Sequence, residues 1–278
     1  MNRRFSGWAG LLAALVLGTG SAIADGAGLR GLATGDDSRG WEGVGRLDLG
    51  GGAFCTGALI AENLVLTAAH CLFDKTSGAR IAPETMEFRA GWRNGRASAY
   101  RGVRRALAHP GFAPEGEDRG LDVALIELNQ PIRNSTVLPF AVGEMPRRGA
   151  EVGVVSYAHD RAEMPSLEDM CHVLGRQSGT LVLDCDVDFG SSGAPVFDFS
   201  SGSPRIVSVV SAKAMLAGKA GAADVLVSLG TSLTGPLADL NTMLAEGGDG
   251  VFTRVRPTVT VMGREDAAAS TGAKFVRP

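Results

Sequence analysis

Short apolar runs that end at glycine, proline or other turn residues recur along most of this chain. They are too short and too closely spaced for a helical protein, and 39 of the 278 residues are glycine. Strands of this length bury their apolar faces in a sandwich or a barrel, so the pattern predicts an all-β fold. The chain is long enough to form one large core or two small ones side by side.

The predicted strands fall into two groups, separated near Gln130-Pro131. The first group consists of residues 44–49, 56–60, 64–67, 86–91, 99–108 and 121–128. The second group consists of residues 151–157, a hairpin across 177–179, and residues 194–198 and 205–211. A helix is expected at about 235–246, where four leucines at helical spacing share one face and Pro236 suits the first turn.

The chain therefore divides into four segments. We expect a signal peptide at 1–24, a linker or short propeptide at 25–40, a folded domain at 41–246 and a C-terminal extension at 247–278. The two halves of the domain are expected at about 41–130 and 140–230. Three interpretations of the extension stay open: an edge strand, a removable extension or a disordered tail.

The first residues carry two arginines, then an apolar run at 8–17, then small residues up to Ala24. This order is typical of a secretory signal peptide, and the run is too short to span a bilayer as a stable helix. The alternative is a retained membrane anchor. We expect a secreted or periplasmic protein whose mature form contacts no membrane. The formal net charge of −3 provides no basic field for nucleic acid.

Four cysteines form two local pairs along the sequence, Cys55 with Cys71 and Cys171 with Cys185. In an exported protein this number suggests disulfides, for which three pairings are possible. The local pairing would close two loops of roughly 15 residues, worth about 3 kcal/mol each. A zinc site is the alternative, but no Cys-x-x-Cys motif or nearby histidine pair supports it.

The most informative segment joins two predicted strands to Thr-Ala-Ala-His-Cys at residues 67–71. It places His70 at the exit of a strand, beside a cysteine that would tie this exit to the preceding strand. A histidine held in this way suits a general base, and the alternative is a structural histidine packed beside a disulfide.

The second element is Asp122, which precedes an apolar run, where burial of its carboxylate without a partner would be costly. The Nδ1–H of His70 is the natural donor to this carboxylate, and the alternative is an aspartate that caps a turn.

The third element is Phe-Gly-Ser-Ser-Gly-Ala-Pro at residues 189–195. Glycines beside a serine allow a sharp turn and a close approach of a substrate carbonyl, and the amides of Gly190 and Ser192 can face an oxyanion. The Gly-x-Ser-Gly-x-Pro register selects Ser192 over Ser191 as the nucleophile. A Gly-x-Ser-x-Gly signature fails because residue 194 is alanine, and the order His, Asp, Ser differs from that of α/β-hydrolases.

These three motifs resemble those of the chymotrypsin- and trypsin-like serine proteases over roughly residues 41–246. The resemblance implies two six-stranded antiparallel β-barrels followed by a helix, a triad of His70, Asp122 and Ser192, and an acyl-enzyme mechanism on a polypeptide substrate. It implies no metal and no cofactor, and we expect a monomer. Ser191 departs from the family, which has an aspartate there that receives a freshly cut N-terminal ammonium. Because the residue before the nucleophile is not acidic, the chain resembles the bacterial glutamyl endopeptidases at this position.

The resemblance implies a specificity pocket near Asp186 and Ser211. Asp186 lies six residues before the nucleophile and would favour Arg or Lys at the cleaved position, although Asp184 and Asp188 compete with it. Ser211 ends a strand that resembles the one whose edge pairs with bound peptide, and Lys213 beyond it would instead favour acidic side chains. Two alternatives to a peptidase remain: a catalytically silent secreted binding protein on this fold, and a serine esterase.

Overall fold

The computed structural model describes residues 29–116, 119–188, 190–217, 223–247 and 273–275, the last three as backbone. The expected signal peptide and most of the expected C-terminal extension lie outside these residues. The strands of the N-terminal half are β1 (Leu29–Gly31), β2 (Val44–Asp48), β3 (Phe54–Ala61), β4 (Leu64–Thr67), β5 (Glu87–Ala90), β6 (Ala99–Ala108) and β7 (Ala124–Leu128). Those of the C-terminal half are β8 (Ala141–Val142), β9 (Glu151–Ser156), β10 (Ser166–Gln177), β11 (Thr180–Leu183), β12 (Pro195–Asp198), β13 (Arg205–Leu216), β14 (Val225–Ser232) and β15 (Ala273–Phe275).

The first barrel is closed by six antiparallel strands in the order β2-β3-β4-β7-β6-β5. Along each strand, successive side chains point alternately to the inside and the outside of the barrel. The inner side chains include Leu47, Leu59, Phe88 and Ile126, none of which is exposed to solvent.

The second barrel has the order β9-β10-β11-β14-β13-β12, and pairing of β12 with β9 closes it. Its core contains Val152, Leu181, Val196 and Val210. Three short strands lie outside the ring: β1 pairs with β10, β8 pairs in parallel with β13, and β15 pairs with β13. The fold class predicted from the sequence, two six-stranded antiparallel barrels with a C-terminal helix, is confirmed.

A third apolar cluster lies between the barrels and receives side chains from both. Leu66 and Leu125 come from the first barrel, and Tyr157 and Phe197 come from the second. The Tyr157 hydroxyl is fully buried and donates a hydrogen bond of 2.8 Å to the Trp92 carbonyl of the first barrel. The strands that carry the site are therefore held against each other by a shared core.

The helix α1 (Pro236–Ala245) packs against this cluster through the fully buried Leu240. The Arg105 side chain on β6 donates to the Leu244 carbonyl at 3.3 Å. None of the helices in the described ranges is long and apolar enough to cross a membrane.

The structure adds two details to the sequence interpretation. The segment 25–40, expected to be a linker or a short propeptide, contains β1, and the next residue, Leu32, is fully buried and donates its backbone N–H to the Pro165 carbonyl at 2.9 Å. Strand β14 was not predicted, although the alternation of Val225, Val227 and Leu229 carried a signal for it.

Candidate active site

His70 lies in a 3₁₀ turn, Ala69–Leu72, that follows directly after β4. The neighbouring Cys71 forms a disulfide with Cys55 on β3, so the turn is covalently attached to the adjacent strand. The His70 side chain retains 20% of its exposure. The histidine is thus fixed in position while part of its ring faces solvent.

Asp122 is fully buried and holds His70 at two points. One carboxylate oxygen, Oδ1, accepts the backbone N–H of His70 at 2.8 Å, and Oδ2 accepts from the imidazole Nδ1 at 2.7 Å. The hydroxyl of Ser211 donates a short hydrogen bond to the same Oδ2. Because Nδ1 donates to the carboxylate, the neutral imidazole keeps its proton there and leaves Nε2 as the basic nitrogen.

The charge of Asp122 is stabilised by these partners. Burial alone raises the pKa of this carboxyl, but the charge of His70 and the hydrogen bonds from His70 and Ser211 outweigh burial and hold the pKa below its ordinary value. The group therefore stays ionised in the neutral pH range, as a carboxylate that stabilises an imidazolium must.

The backbone at Asp122 differs from the expectation of a strand at 121–128. Strand β7 begins at Ala124, and Asp122 lies in the preceding turn, where Val123 donates its N–H to the Leu121 carbonyl at 2.8 Å. The turn directs the carboxylate to His70 instead of into the alternating pattern of the barrel. A second aspartate near this turn in the sequence, Asp118, lies outside the described residues.

Ser192 lies in a tight turn that packs against the segment leading to His70. Gly193 has a φ of +75°, and a Cβ atom added there would lie 2.1 Å from the Thr67 hydroxyl and 2.9 Å from the Ala68 nitrogen. The Ser192 carbonyl accepts the Thr56 N–H at 2.9 Å. The serine is therefore placed next to residues 67–68, two positions before the histidine.

Among the residues that the structure describes, the Ser192 hydroxyl makes no hydrogen bond with His70. The contact between a catalytic base and its nucleophile is often long in the absence of substrate and shortens in the Michaelis complex. The close packing of Gly193 against Thr67 and Ala68 places the backbone of the serine turn against the segment that leads to His70.

The two adjacent serines have different surroundings. Ser191 is fully buried, and its hydroxyl donates to the Ser156 hydroxyl at 3.1 Å and accepts the Asp188 N–H at 3.3 Å. Ser192 is partly exposed. Accessibility therefore favours Ser192 as the reactive serine.

The turn before Ser192 contains Gly190, one of the two residues whose amides the sequence predicts to face an oxyanion. Gly190 has a φ of +97°, and an added Cβ would lie 2.7 Å from the Phe54 ring. Its carbonyl accepts the Thr56 hydroxyl at 2.8 Å. Glycine is required here by both the backbone conformation and the close packing, and Thr56, which sequence reasoning missed, fixes the turn at two carbonyls.

The residues predicted for the specificity pocket have separate environments. Ser211 turns its hydroxyl to Asp122, so it belongs to the carboxylate site. Asp186 has an exposed side chain, and its backbone N–H donates to the Glu168 carboxylate at 2.7 Å. The ammonium group of Lys213 lies 3.4 Å from an Asp188 carboxylate oxygen.

Glu168 on β10 is a further titratable group that the sequence interpretation missed. The residue is 6% exposed, and its carboxyl lies near the exposed Asp184 and Asp186. Burial, reinforced by these two negative charges, raises its pKa to about 7.

Cys171 and Cys185, close to Glu168, form the second disulfide. Both predicted disulfides are therefore confirmed, and neither pair of cysteines offers thiolates to a metal.

The family model described as Trypsin matches residues 35–214 of this chain. Over 151 residues the chain is 28% identical to a glutamyl endopeptidase of Bacillus licheniformis, a segment that covers 53% of this chain and 46% of that relative. Over 121 residues it is 29% identical to mannan-binding lectin serine protease 1 of Homo sapiens, covering 39% of this chain and 17% of the relative. The matched segments thus span less than half the length of these relatives.

The fold is also similar to that of a solved Glu endopeptidase in complex with MPD. The TM-score is 0.63 at 20% sequence identity, and the superposition covers 79% of this chain and 97% of that chain. At this level of identity the likeness supports the two-barrel architecture.

Proposed function

Because this chain belongs to the trypsin family, we propose that it is a serine endopeptidase that hydrolyses peptide bonds through an acyl-enzyme. The observation that carries this proposal is the buried Asp122 carboxylate, which accepts hydrogen bonds from both the backbone and the imidazole of His70. A binding protein would have no use for a buried charge that sets the tautomer of a partly exposed histidine.

In the proposed mechanism Ser192 attacks the carbonyl carbon of the scissile peptide bond. Nε2 of His70 takes the hydroxyl proton as the C–O bond forms and gives it to the leaving amine as the C–N bond breaks. Asp122 stabilises the imidazolium in between, and the amides of Gly190 and Ser192 stabilise the oxyanion. Water then attacks the acyl-enzyme with the same base, which restores the free serine.

A fluorophosphonate probe tests this function, since it reacts with an activated serine and does not require a substrate sequence. We expect labelling of the parent protein at Ser192, loss of labelling in His70→Ala, and labelling close to the parent in Ser191→Ala with its site still on Ser192. Labelling that moves to Ser191, or that persists unchanged in His70→Ala, would contradict the assignment. Hydrolysis of peptides in a denatured protein mixture then distinguishes a peptidase from an esterase.

We also propose that the site forms without an ion pair to a cut N-terminus. The uncharged Ser191 satisfies its hydroxyl with Ser156 and Asp188, so no carboxylate at this position awaits an ammonium group. Addition of one residue to the mature N-terminus should therefore leave kcat/KM within about twofold. Complete loss of activity on this addition would overturn the proposal.

Export to an oxidising compartment is the expected localisation. Two buried disulfides are typical of secreted and periplasmic proteins and are rare in the reducing cytosol.

For cleavage specificity, the charges give two opposite expectations: Asp186 favours a basic residue and Lys213 an acidic one at the cleaved position. The cleavage-site profile from the same denatured mixture decides between them.

A further inference from the structure

The edge of β13 beyond Val210 begins beside the proposed nucleophile. Strand β12 pairs with β13 as far as Pro195 opposite Val209, and two further hydrogen bonds, from Gly193 to Val210 and from Val210 to Ala194, end this pairing. The chain then turns away at Ser192. From Ser211 onward this edge of β13 is therefore not covered by β12, while its opposite edge pairs with β14 up to Leu216.

An uncovered strand edge is a template for an extended peptide, which adds to it through backbone hydrogen bonds. A polypeptide whose scissile bond lies at Ser192 has this edge as its nearest strand partner. The residues that such a peptide would follow away from the serine are Ser211, Ala212 and Lys213, and then Ala214 to Leu216.

Strand β15 occupies the outer part of the same edge. Phe275 lies opposite Ala214, Lys274 opposite Met215 and Ala273 opposite Leu216, in antiparallel register. On the other side these three β13 residues pair with Val227, Leu226 and Val225 of β14, so β15 takes the side that β12 leaves free. Because the pairing is antiparallel, β15 runs toward the active site, and Ala214 is three residues, about 10 Å, from Ser211.

We propose that the C-terminal segment is an intramolecular inhibitor that occupies the outer half of the substrate-binding edge of β13. This inference rests on the proposed peptidase function, because it concerns access to that site. A strand of the same chain competes with peptides intramolecularly, so a peptide displaces it only when the peptide pairs with the edge strongly enough to outweigh this advantage. Backbone pairing makes the competition largely independent of the side chains at 273–275.

The test compares three full-length mature proteins: the parent, Lys274→Pro/Phe275→Pro and the matched control Lys274→Ala/Phe275→Ala. Proline lacks a backbone N–H, and successive N–H groups of a strand point to opposite sides, so one of two adjacent prolines removes a donor that faces β13. The alanine pair keeps both donors and removes the same two side chains.

With a peptide substrate that extends six residues before the scissile bond, kcat/KM of the proline variant should rise several-fold through a lower KM. The kcat at saturation should stay within twofold of the parent, and the alanine control should match the parent throughout. Equal kcat/KM values in all three proteins would overturn the inference.

The rate of fluorophosphonate labelling distinguishes a failure of this inference from a failure of the proposed peptidase function on which it rests. The probe does not reach residues 214–216, so all three proteins should react at the same rate. If none of them reacts, the proposed function is wrong. If all react but the proline variant reacts more slowly, β15 supports the structure of the site instead of blocking the edge, and the inference is wrong.

Discussion

Asp122 accepts both the backbone N–H and the imidazole Nδ1–H of His70, so one buried carboxylate sets the position and the tautomer of the histidine. Each of its two oxygens serves a different part of the same residue. The Ser211 hydroxyl adds a third donor to Oδ2. Removal of the charge therefore changes the chemistry of His70 more than it changes the fold.

We expect Asp122→Asn to lower kcat by roughly 10⁴-fold, because an amide group donates where the carboxylate accepts and reverses the tautomer. Asp239→Asn is the matched control, since Asp239 also lies beside a histidine, His109, at 3.3 Å. That pair connects α1 with the first barrel and does not include the residues of the candidate active site. The kcat of Asp239→Asn should therefore stay within twofold of the parent. Steady-state kinetics of both variants, with circular dichroism as a check of folding, measures the difference. A similar kcat for the two variants would refute the role of Asp122.

Gly193→Ala should prevent formation of the active site, because the added methyl group collides with Thr67, Thr56 and Ala68. Gly202→Ala is the matched control: its φ of +79° is nearly the same as the +75° of Gly193, but nothing lies within 4 Å of the added atom. Backbone strain costs about 1 kcal/mol in both variants, and the collision adds several kcal/mol in Gly193→Ala alone. Thermal unfolding should show a small decrease in Tm for Gly202→Ala and a large one for Gly193→Ala. Equal decreases would show that the close packing against residues 67–68 is not present.

Glu168 makes the free energy of unfolding depend on pH. Its folded pKa of about 7 is above the ordinary value of 4.5, so the folded state binds a proton that the unfolded state releases. The contribution is fully present below about pH 4.5 and is lost as the pH rises through about 7, a change on the order of 2–3 kcal/mol. Glu168→Gln keeps an oxygen that accepts the Asp186 N–H and should flatten this part of the curve.

Denaturant unfolding from pH 4.5 to 8 measures this effect. The exposed Glu151→Gln on the adjacent strand β9 removes the same charge without burial and should leave the pH dependence of the parent unchanged. Parallel curves for Glu168→Gln and the parent would show that the Glu168 carboxyl is ionised throughout.

The two disulfides close loops of similar length, with sequence separations of 16 and 14 residues, but only one of them holds His70. We expect Cys55→Ala/Cys71→Ala and Cys171→Ala/Cys185→Ala to lose a similar stability of about 3 kcal/mol each. At a temperature where both remain folded, the first variant should lose at least tenfold in kcat and the second much less. Equal activity in the two would mean that the Cys55–Cys71 bond does not position the histidine.

Much of this architecture is predictable because its signals are local. Alternating apolar residues define most strands. The segment 67–71 contains the end of a strand, the candidate base His70 and the disulfide cysteine Cys71 within five residues. The backbone at Asp122 is less predictable, because an apolar sequence continues from Leu121 while a turn keeps the first residues out of the strand.

Other features depend on contacts between distant segments. The high pKa of Glu168 arises from its burial beside Asp184 and Asp186, which come from a different part of the chain. The pairing of β15 with β13 joins residues 57 to 61 positions apart and leaves no local pattern. An edge strand was one of three interpretations of the tail that the sequence left open.

Thr56 has a consequence for how the molecule unfolds. This fully buried residue of the first barrel donates to the carbonyls of Gly190 and Ser192 and accepts the Tyr157 N–H at 3.0 Å, all in the second barrel. Separation of the barrels would leave these polar groups buried without partners or exposed together with an apolar face. The halves should therefore melt in one cooperative calorimetric transition, and fragments expressed separately should regain a reactive serine only after they reassociate.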